Sequence, residues 1–201
     1  MGPPLRAAVR LRTDGAENVP GSGPVLLASN HLSITDSTFL PLALSRPVTF
    51  MAKAEYFTGR LTSRFMRASG QVAVDRDNQR AAVASLDACL QVLKDGRILC
   101  IYPEGTRSPD GRLYRGRTGV AWLALTSGAP VVPVAMSGTD RVLPPGRLLP
   151  RPARVRVTFG RAVALDGDPA DARTRRIATD AVMDAIAAIS GQDRASRYAR
   201  P

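Results

Sequence analysis

Histidine is all but missing from this chain: its 201 residues hold one, His31. Any reaction run near neutral pH by an imidazole base must therefore use it. Cysteine is nearly as scarce. Cys89 and Cys100 are the only two; neither sits in a CxxC pair, and one histidine cannot complete a Cys/His zinc site. Both read as reduced core residues, and no metal is expected. No run approaches the ~18 apolar residues of a membrane-spanning helix. Met1 to Arg10 lack the apolar stretch of a signal peptide, so a cytoplasmic protein is expected. Acidic side chains are outnumbered, with 17 Asp and Glu against 28 Lys and Arg and a net charge of +11. That excess points to anionic partners: nucleic acid, phosphorylated substrates, an acidic carrier protein or anionic lipid. Aromatic residues make up only 5%. They do not interleave with the arginines as a single-strand stacking platform requires, so nucleic acid drops out as the expected partner.

What is present is an alternation of strands and helices. Pro24 to Ala28 is a short apolar run and reads as a buried strand. Strands are also expected at Val9–Thr13 (an edge), Pro47–Met51, Gly70–Val74, Arg97–Tyr102, Pro130–Met136 and Arg154–Phe159. Arg97–Tyr102 is almost wholly apolar and therefore central. Pro133 lies inside its strand, which marks an edge, a bulge or a strand end. Helices are expected from Ser33, over 57–68, over 78–94 with Val83, Leu86, Leu90 and Leu93 as the buried stripe, over 118–126, and over 171–190. The last carries Ala178, Val182, Ala185, Ile186 and Ile189 on one side. Residues 138–153 form a Pro/Arg/Gly-rich loop. No repeat or composition break divides residues 1–201. The pattern predicts one α/β domain with a mostly parallel or mixed central sheet flanked by helices.

Ser29 to Asp36 carries the chemistry. Asp36 follows His31 by five residues, which on an ideal helix separates them by about 140°. They can meet only if His31 lies in the turn before the helix and its ring folds back. Asp36 then fixes the tautomer from one ring nitrogen and leaves the other as a base. A substrate hydroxyl can then serve as the nucleophile. The structural alternative is a capping box, Ser33-x-x-Asp36, with Asn30 or Ser33 as the cap. Two further strands end in charged loops: Asp75-Arg76, and Glu104-Gly105-Thr106-Arg107. Parallel strands deliver such ends to one sheet edge. A guanidinium beside a glycine turn and a hydroxyl makes a good phosphate fork. A base, its carboxylate and two arginines around one crevice suggest transfer to a hydroxyl of a phosphorylated small molecule.

Four motifs in order then make the chain resemble the glycerolipid acyltransferases, in particular bacterial 1-acylglycerol-3-phosphate acyltransferases. The first is N-H-x-S-x-x-D, here Asn30 to Asp36. The second is Val74-Asp75-Arg76. The third is F-P-E-G-T-R-S, present as Tyr102 to Ser108 with tyrosine for phenylalanine. The fourth is the apolar strand with its inner Pro133. Lys53 and Glu55 match a K-x-E pair between the first two. The resemblance spans about residues 11 to 165.

It implies that His31, oriented by Asp36, takes the proton of an acceptor hydroxyl, which attacks the thioester of a fatty acyl-CoA or acyl-carrier protein. No further cofactor is implied. Arg76, Glu104, Gly105, Thr106 and Arg107 would hold the phosphate of lysophosphatidic acid; Asn30, Lys53 and Pro133 are further possible site residues. The family's N-terminal interfacial helix has no amphipathic counterpart in the ten or so residues ahead of the first strand. Peripheral docking on the inner, anionic face of the cell membrane is therefore expected, through Arg141, Arg147, Arg151 and Arg154 with Leu143, Leu148 and Leu149. The rivals are a same-fold enzyme with another acceptor (lysophospholipid, glycolipid or amine) and a non-enzymatic basic lipid-binding protein.

Overall fold

A computed structural model describes residues 9–53, 58–59, 64, 71–74, 79–144, 149 and 151–200. Seven strands form one mixed sheet: β1 (Arg12–Asp14), β2 (Val25–Ser29), β3 (Val48–Lys53), β4 (Val72–Val74), β5 (Ile98–Ile101), β6 (Val131–Ser137) and β7 (Arg156–Phe159). Their order is β1-β7-β6-β2-β5-β3-β4. Neighbours from β6 to β4 run parallel, whereas β6 and β7 are antiparallel and β1 follows β7. The helices are α1 (Asp36–Leu42), α2 (Gln79–Lys94), α3 (Gly119–Ser127), α4 (Thr139–Val142) and α5 (Ala172–Ser190).

The strand alternation explains the two cores. Val25 and Leu27 of β2 point to one face, with Phe39 of α1, Val134 and Val157. Leu26 and Ala28 point to the other, where α2, α3 and α5 supply Leu93, Leu123, Val182 and Ile186. A strand covered on both faces must be apolar at every position, which is why β2 and β5 read as unbroken runs. At about 25 cal/mol per Å² of apolar surface, each fully buried leucine contributes on the order of 2 kcal/mol. Cys89 and Cys100 are free and buried, as expected. Desolvation pushes the Cys89 thiol up to about 12 and raises Cys100 as well, so both are chemically quiet.

Several boundaries differ from the sequence reading. β1 starts at Arg12, because Val9 turns into the core and Arg10 sits at φ 44. The buried face of α5 carries Thr179 and Met183 beside Ala178, Val182 and Ile186, while Ala185 and Ile189 are only half-buried. Along α2 the described buried positions include Cys89, Leu90 and Leu93, with Leu86 partly covered. Apart from residues 58, 59 and 64, the helix expected over 57–68 lies outside the described residues, as do the Asn78 cap and the Asp75-Arg76 loop, and the Lys53 side chain is not described.

Pro133 sits in β6, an interior strand, yet the expectation of an incomplete rung holds. Its carbonyl accepts from Gly160 N at 2.8 Å, one step past the last β6–β7 register pair, Val134↔Phe159. The return bond that a proline cannot donate is simply the missing half of this rung. One residue is then bulged out before the next pairing, Val131↔Val163. The proline also dictates its partner: a Cβ on Gly160 would lie 2.8 Å from Pro133 Cγ.

Candidate active site

β2 and β5 are adjacent and parallel, with Ala28 opposite Ile101. Their C-terminal ends therefore release two loops side by side: Asn30–Thr35, and Tyr102–Ser108. His31 lies in the turn before α1, and its Nδ1 meets Asp36 Oδ2 at 2.8 Å. That is the fold-back that the five-residue spacing demanded. The same carboxylate oxygen accepts from Leu32 N at 2.7 Å and Ser33 N at 3.0 Å. The Ser33 bond has the form of one arm of a capping box, but the helix's N-cap is Thr35 and no side chain caps it, so the expected Ser33-x-x-Asp36 cap is not formed and Asp36 is the orienting carboxylate. The helix starts at Asp36 rather than Ser33, because Ser33 Oγ is used locally by the Thr35 amide and hydroxyl. Asp36 is fully buried while His31 keeps 16% of its side-chain exposure. Nε2 has no partner among the described residues. With Nδ1–H directed at the carboxylate, Nε2 is the open, basic nitrogen.

The second loop clamps the first. Glu104 is fully buried. One of its oxygens accepts from His31 N at 3.2 Å and the other from Tyr114 N at 2.8 Å. Ser108 N donates to the His31 carbonyl at 2.7 Å. The peptide of His31 is thus held at both ends by the Glu-Gly-Thr-Arg-Ser stretch. Tyr102 stacks on the imidazole with ring centroids 3.8 Å apart and a 10° interplanar angle. Its hydroxyl bonds Ser37 Oγ at 3.0 Å, and burial keeps that phenol protonated by raising its pKa well above the usual value. Burial also pushes the Glu104 carboxyl from 4.5 to about 7, against the lowering pull of the two amides.

The sequence reading put Glu104 among the residues that hold a phosphate; here both of its oxygens face inward onto amides. A buried carboxylate in that arrangement repels an anion rather than gripping it. Gly105 adopts φ 76, the left-handed region that L side chains rarely enter, so the tight turn favours glycine there. Thr106 is half-buried and Arg107 exposed. Asn30 is fully buried and caps no helix. Its side-chain amide acts as an extra peptide toward β6, donating to Met136 O at 3.0 Å and accepting from Met136 N at 2.7 Å. Pro133 lies within β6, one rung opposite Ala28. Arg76 falls outside the described residues.

Sequence reasoning gave no role to the Tyr102 ring, Tyr114 or Gln192. The Tyr102 stack had a signal, its place just ahead of Pro103-Glu104. Gln192 had none: it is a single glutamine past the last helix. Among the described residues no cluster of His, Cys, Asp or Glu is arranged to hold a metal ion, and no helix is long and apolar enough to cross a membrane.

A family model described as Acyltransferase matches residues 10–137. A chloroplastic 1-acyl-sn-glycerol-3-phosphate acyltransferase of Arabidopsis thaliana is 35% identical over 138 residues, covering 68% of this chain and 38% of that protein. The 1-acyl-sn-glycerol-3-phosphate acyltransferase of Borreliella burgdorferi is 26% identical over 134 residues, 67% of this chain and 54% of that protein. The crystal structure of the 1-acyl-sn-glycerophosphate (LPA) acyltransferase PlsC from Thermotoga maritima aligns with a TM-score of 0.70 at 27% identity, over 89% of this chain and 71% of that one. The chain spans between 38% and 54% of the length of these two curated relatives.

Proposed function

The chain belongs to the acyltransferase family, and from that premise we propose that it moves a fatty acyl group from a thioester to the free hydroxyl of 1-acylglycerol-3-phosphate, giving phosphatidic acid for phospholipid synthesis. The observation that carries this reading is the His31–Asp36 couple with its open Nε2. No serine or cysteine side chain is hydrogen-bonded to the His31 ring among the described residues. The hydroxyls of Ser33 and Ser37 are engaged with Thr35 and Tyr102 instead. The nucleophile is therefore the acceptor's own hydroxyl. Nε2 takes its proton as the oxygen attacks the thioester carbonyl, and Asp36 stabilises the imidazolium that forms. Collapse of the tetrahedral intermediate breaks the C–S bond, and the imidazolium returns the proton to the thiolate. No acyl-enzyme is formed. Chemistry at the carbonyl is the same for acyl-CoA and acyl-carrier protein, so either serves as donor. Thr106 and the exposed Arg107, in the loop beside His31, suit the acceptor phosphate, with Arg76 and Lys53 proposed beside them from the sequence.

The acceptor is an amphiphile, so the site edge must meet a lipid surface. Ile34 beside His31 is 53% exposed and Leu149 is 79% exposed. Thr35 Oγ1 bonds Thr139 O at 3.2 Å, which joins the His31 loop to the segment that leads toward Leu149. Arg141, Arg151 and Arg154 of the same region are exposed. Basic side chains near an anionic leaflet contribute about 1 kcal/mol each. Docking by charge with shallow apolar contact follows. Purified protein should release free thiol from oleoyl-CoA only when lysophosphatidic acid is supplied. Equal release with water as acceptor, or none, would reject the reaction. Sedimentation with phosphatidylglycerol vesicles, and release by ~0.5 M salt, tests the docking mode.

A further inference from the structure

The family model ends at residue 137, but the clamp on His31 does not. After α5 the chain turns at Gly191 (φ 68) and runs back along residues 111–117 as a strap. Leu113 N donates to Asp193 O at 3.0 Å, Ala195 N to Leu113 O at 2.8 Å, and Arg115 N to Arg197 O at 3.0 Å. Ala195 and Ala199 are buried against Tyr114. The ring of Tyr198 carries the guanidiniums of Arg115 and Arg117 at 5.2 and 5.5 Å. At its start the strap is tied to α5 by Arg194, which pairs with Asp184 and, at 3.8 Å, with Asp180. Cation–π and ion-pair contacts at both ends hold these ten residues, whose apolar burial is the small cluster of Ala195 and Ala199 on Tyr114.

The strap reaches the site by two routes. Its pairing with Leu113 and Arg115 fixes the Tyr114 amide, which bonds Glu104 and through it the His31 amide. More directly, Gln192 Oε1 accepts from the buried Asn30 Nδ2 at 2.7 Å, and Gln192 Nε2 donates to Gly111 O at 2.6 Å. Asn30 immediately precedes His31. Its Nδ2 has two protons; one goes to Met136 O and the other has only Gln192. We propose that Gln192 is a positioning residue for acyl transfer. Its carboxamide ties Asn30 to Gly111 and so sets His31 against the clamp loop, from a segment outside the matched family residues. The inference rests on the acyltransferase reading for its kinetic readout only.

The carboxamide makes both bonds because one end accepts while the other donates, and the bond to Asn30 is the one that reaches the site. Leucine has a similar volume and does neither, leaving an Asn30 N–H buried and unpaired. Glutamate keeps an acceptor facing Asn30 but turns its second oxygen onto the Gly111 carbonyl, acceptor against acceptor, so it keeps the Asn30 bond and gives up the tie to Gly111. Gln192→Leu should lower kcat about tenfold, since small misplacements of reacting groups are costly, with KM for both substrates within about twofold. Gln192→Glu should retain kcat within about threefold of wild type. In NMR spectra the Asn30 side-chain amide protons should exchange slowly in wild type and in Gln192→Glu, and quickly in Gln192→Leu. Should Gln192→Leu not fold, Gln192→Asn, one methylene too short for both bonds, should show the same loss. Wild-type kcat in the leucine or asparagine variant, a loss confined to KM, or unchanged Asn30 exchange would overturn the proposal. A wild-type protein without acyl transfer would reject the reaction alone and leave the exchange comparison to judge the strap.

Discussion

Glu104 makes the sharpest test of the site, because its fold cost and its use have opposite signs. Its carboxyl is raised from 4.5 to about 7 by burial. Between those limits the folded protein holds a proton that the unfolded chain has released. Stability therefore falls as pH rises from about 4.5 to about 7, and stays at the lower level above. At 1.36 kcal/mol per pKa unit, the loss is about 3 kcal/mol. In a chain of this size that is on the order of 10 °C in melting temperature. The ionised form is the useful one, since only it accepts from both the His31 and Tyr114 amides. Protonated, one oxygen becomes a donor facing a donor. Glu104→Gln is the matched perturbation. Its amide cannot ionise, and whichever way it points, its NH₂ opposes one of the two N–H groups. The melting temperature of wild type relative to Glu104→Gln should drop by roughly 10 °C between pH 4.5 and 7.5. Parallel melting curves for the two proteins across this range would refute the buried, titrating brace.

Other perturbations separate the remaining parts. His31→Ala should fold normally and lose about 10²–10⁴-fold in turnover, as removal of a general base does; a folded variant with wild-type turnover ends the mechanism. Asp36→Asn should be severely slow because the amide can favour the wrong tautomer, while circular dichroism stays native. Tyr102→Phe keeps the 3.8 Å stack on His31 and loses only the Ser37 bond, so kcat should stay within about threefold, whereas Tyr102→Ala should lose more. Arg107→Ala should cost about 1.5–3 kcal/mol in kcat/KM with lysophosphatidic acid and little with its phosphate-free analogue; equal losses would remove Arg107 from the phosphate site.

The site was legible where chemistry and local spacing coincide. A lone histidine, an aspartate five residues on and an apolar run ahead of both left one geometry for an interaction between them, and His31 and Asp36 adopt it. The α/β sheet was legible for a similar reason: β2, β5 and β6 are apolar at nearly every position, which only strands covered on two faces require. Glu104 was misassigned because sequence shows that a carboxylate follows a strand but not which way it turns. Its direction depends on the amides of His31 and Tyr114, brought in from 73 and 10 residues away. Gln192 lies further still, 162 residues from Asn30, and a single amide bond carries no periodicity. The residues proposed to act on substrate thus announce themselves by type and spacing. Those that hold the actors still are ordinary side chains whose meaning exists only once distant backbone groups arrive. Gln192 and Glu104 share that property, and both end on the same target, the Asn30-His31 turn. His31 lies in the turn before α1, where Asp36 orients its ring, and Glu104 and Gln192 add tethers that come from outside that segment.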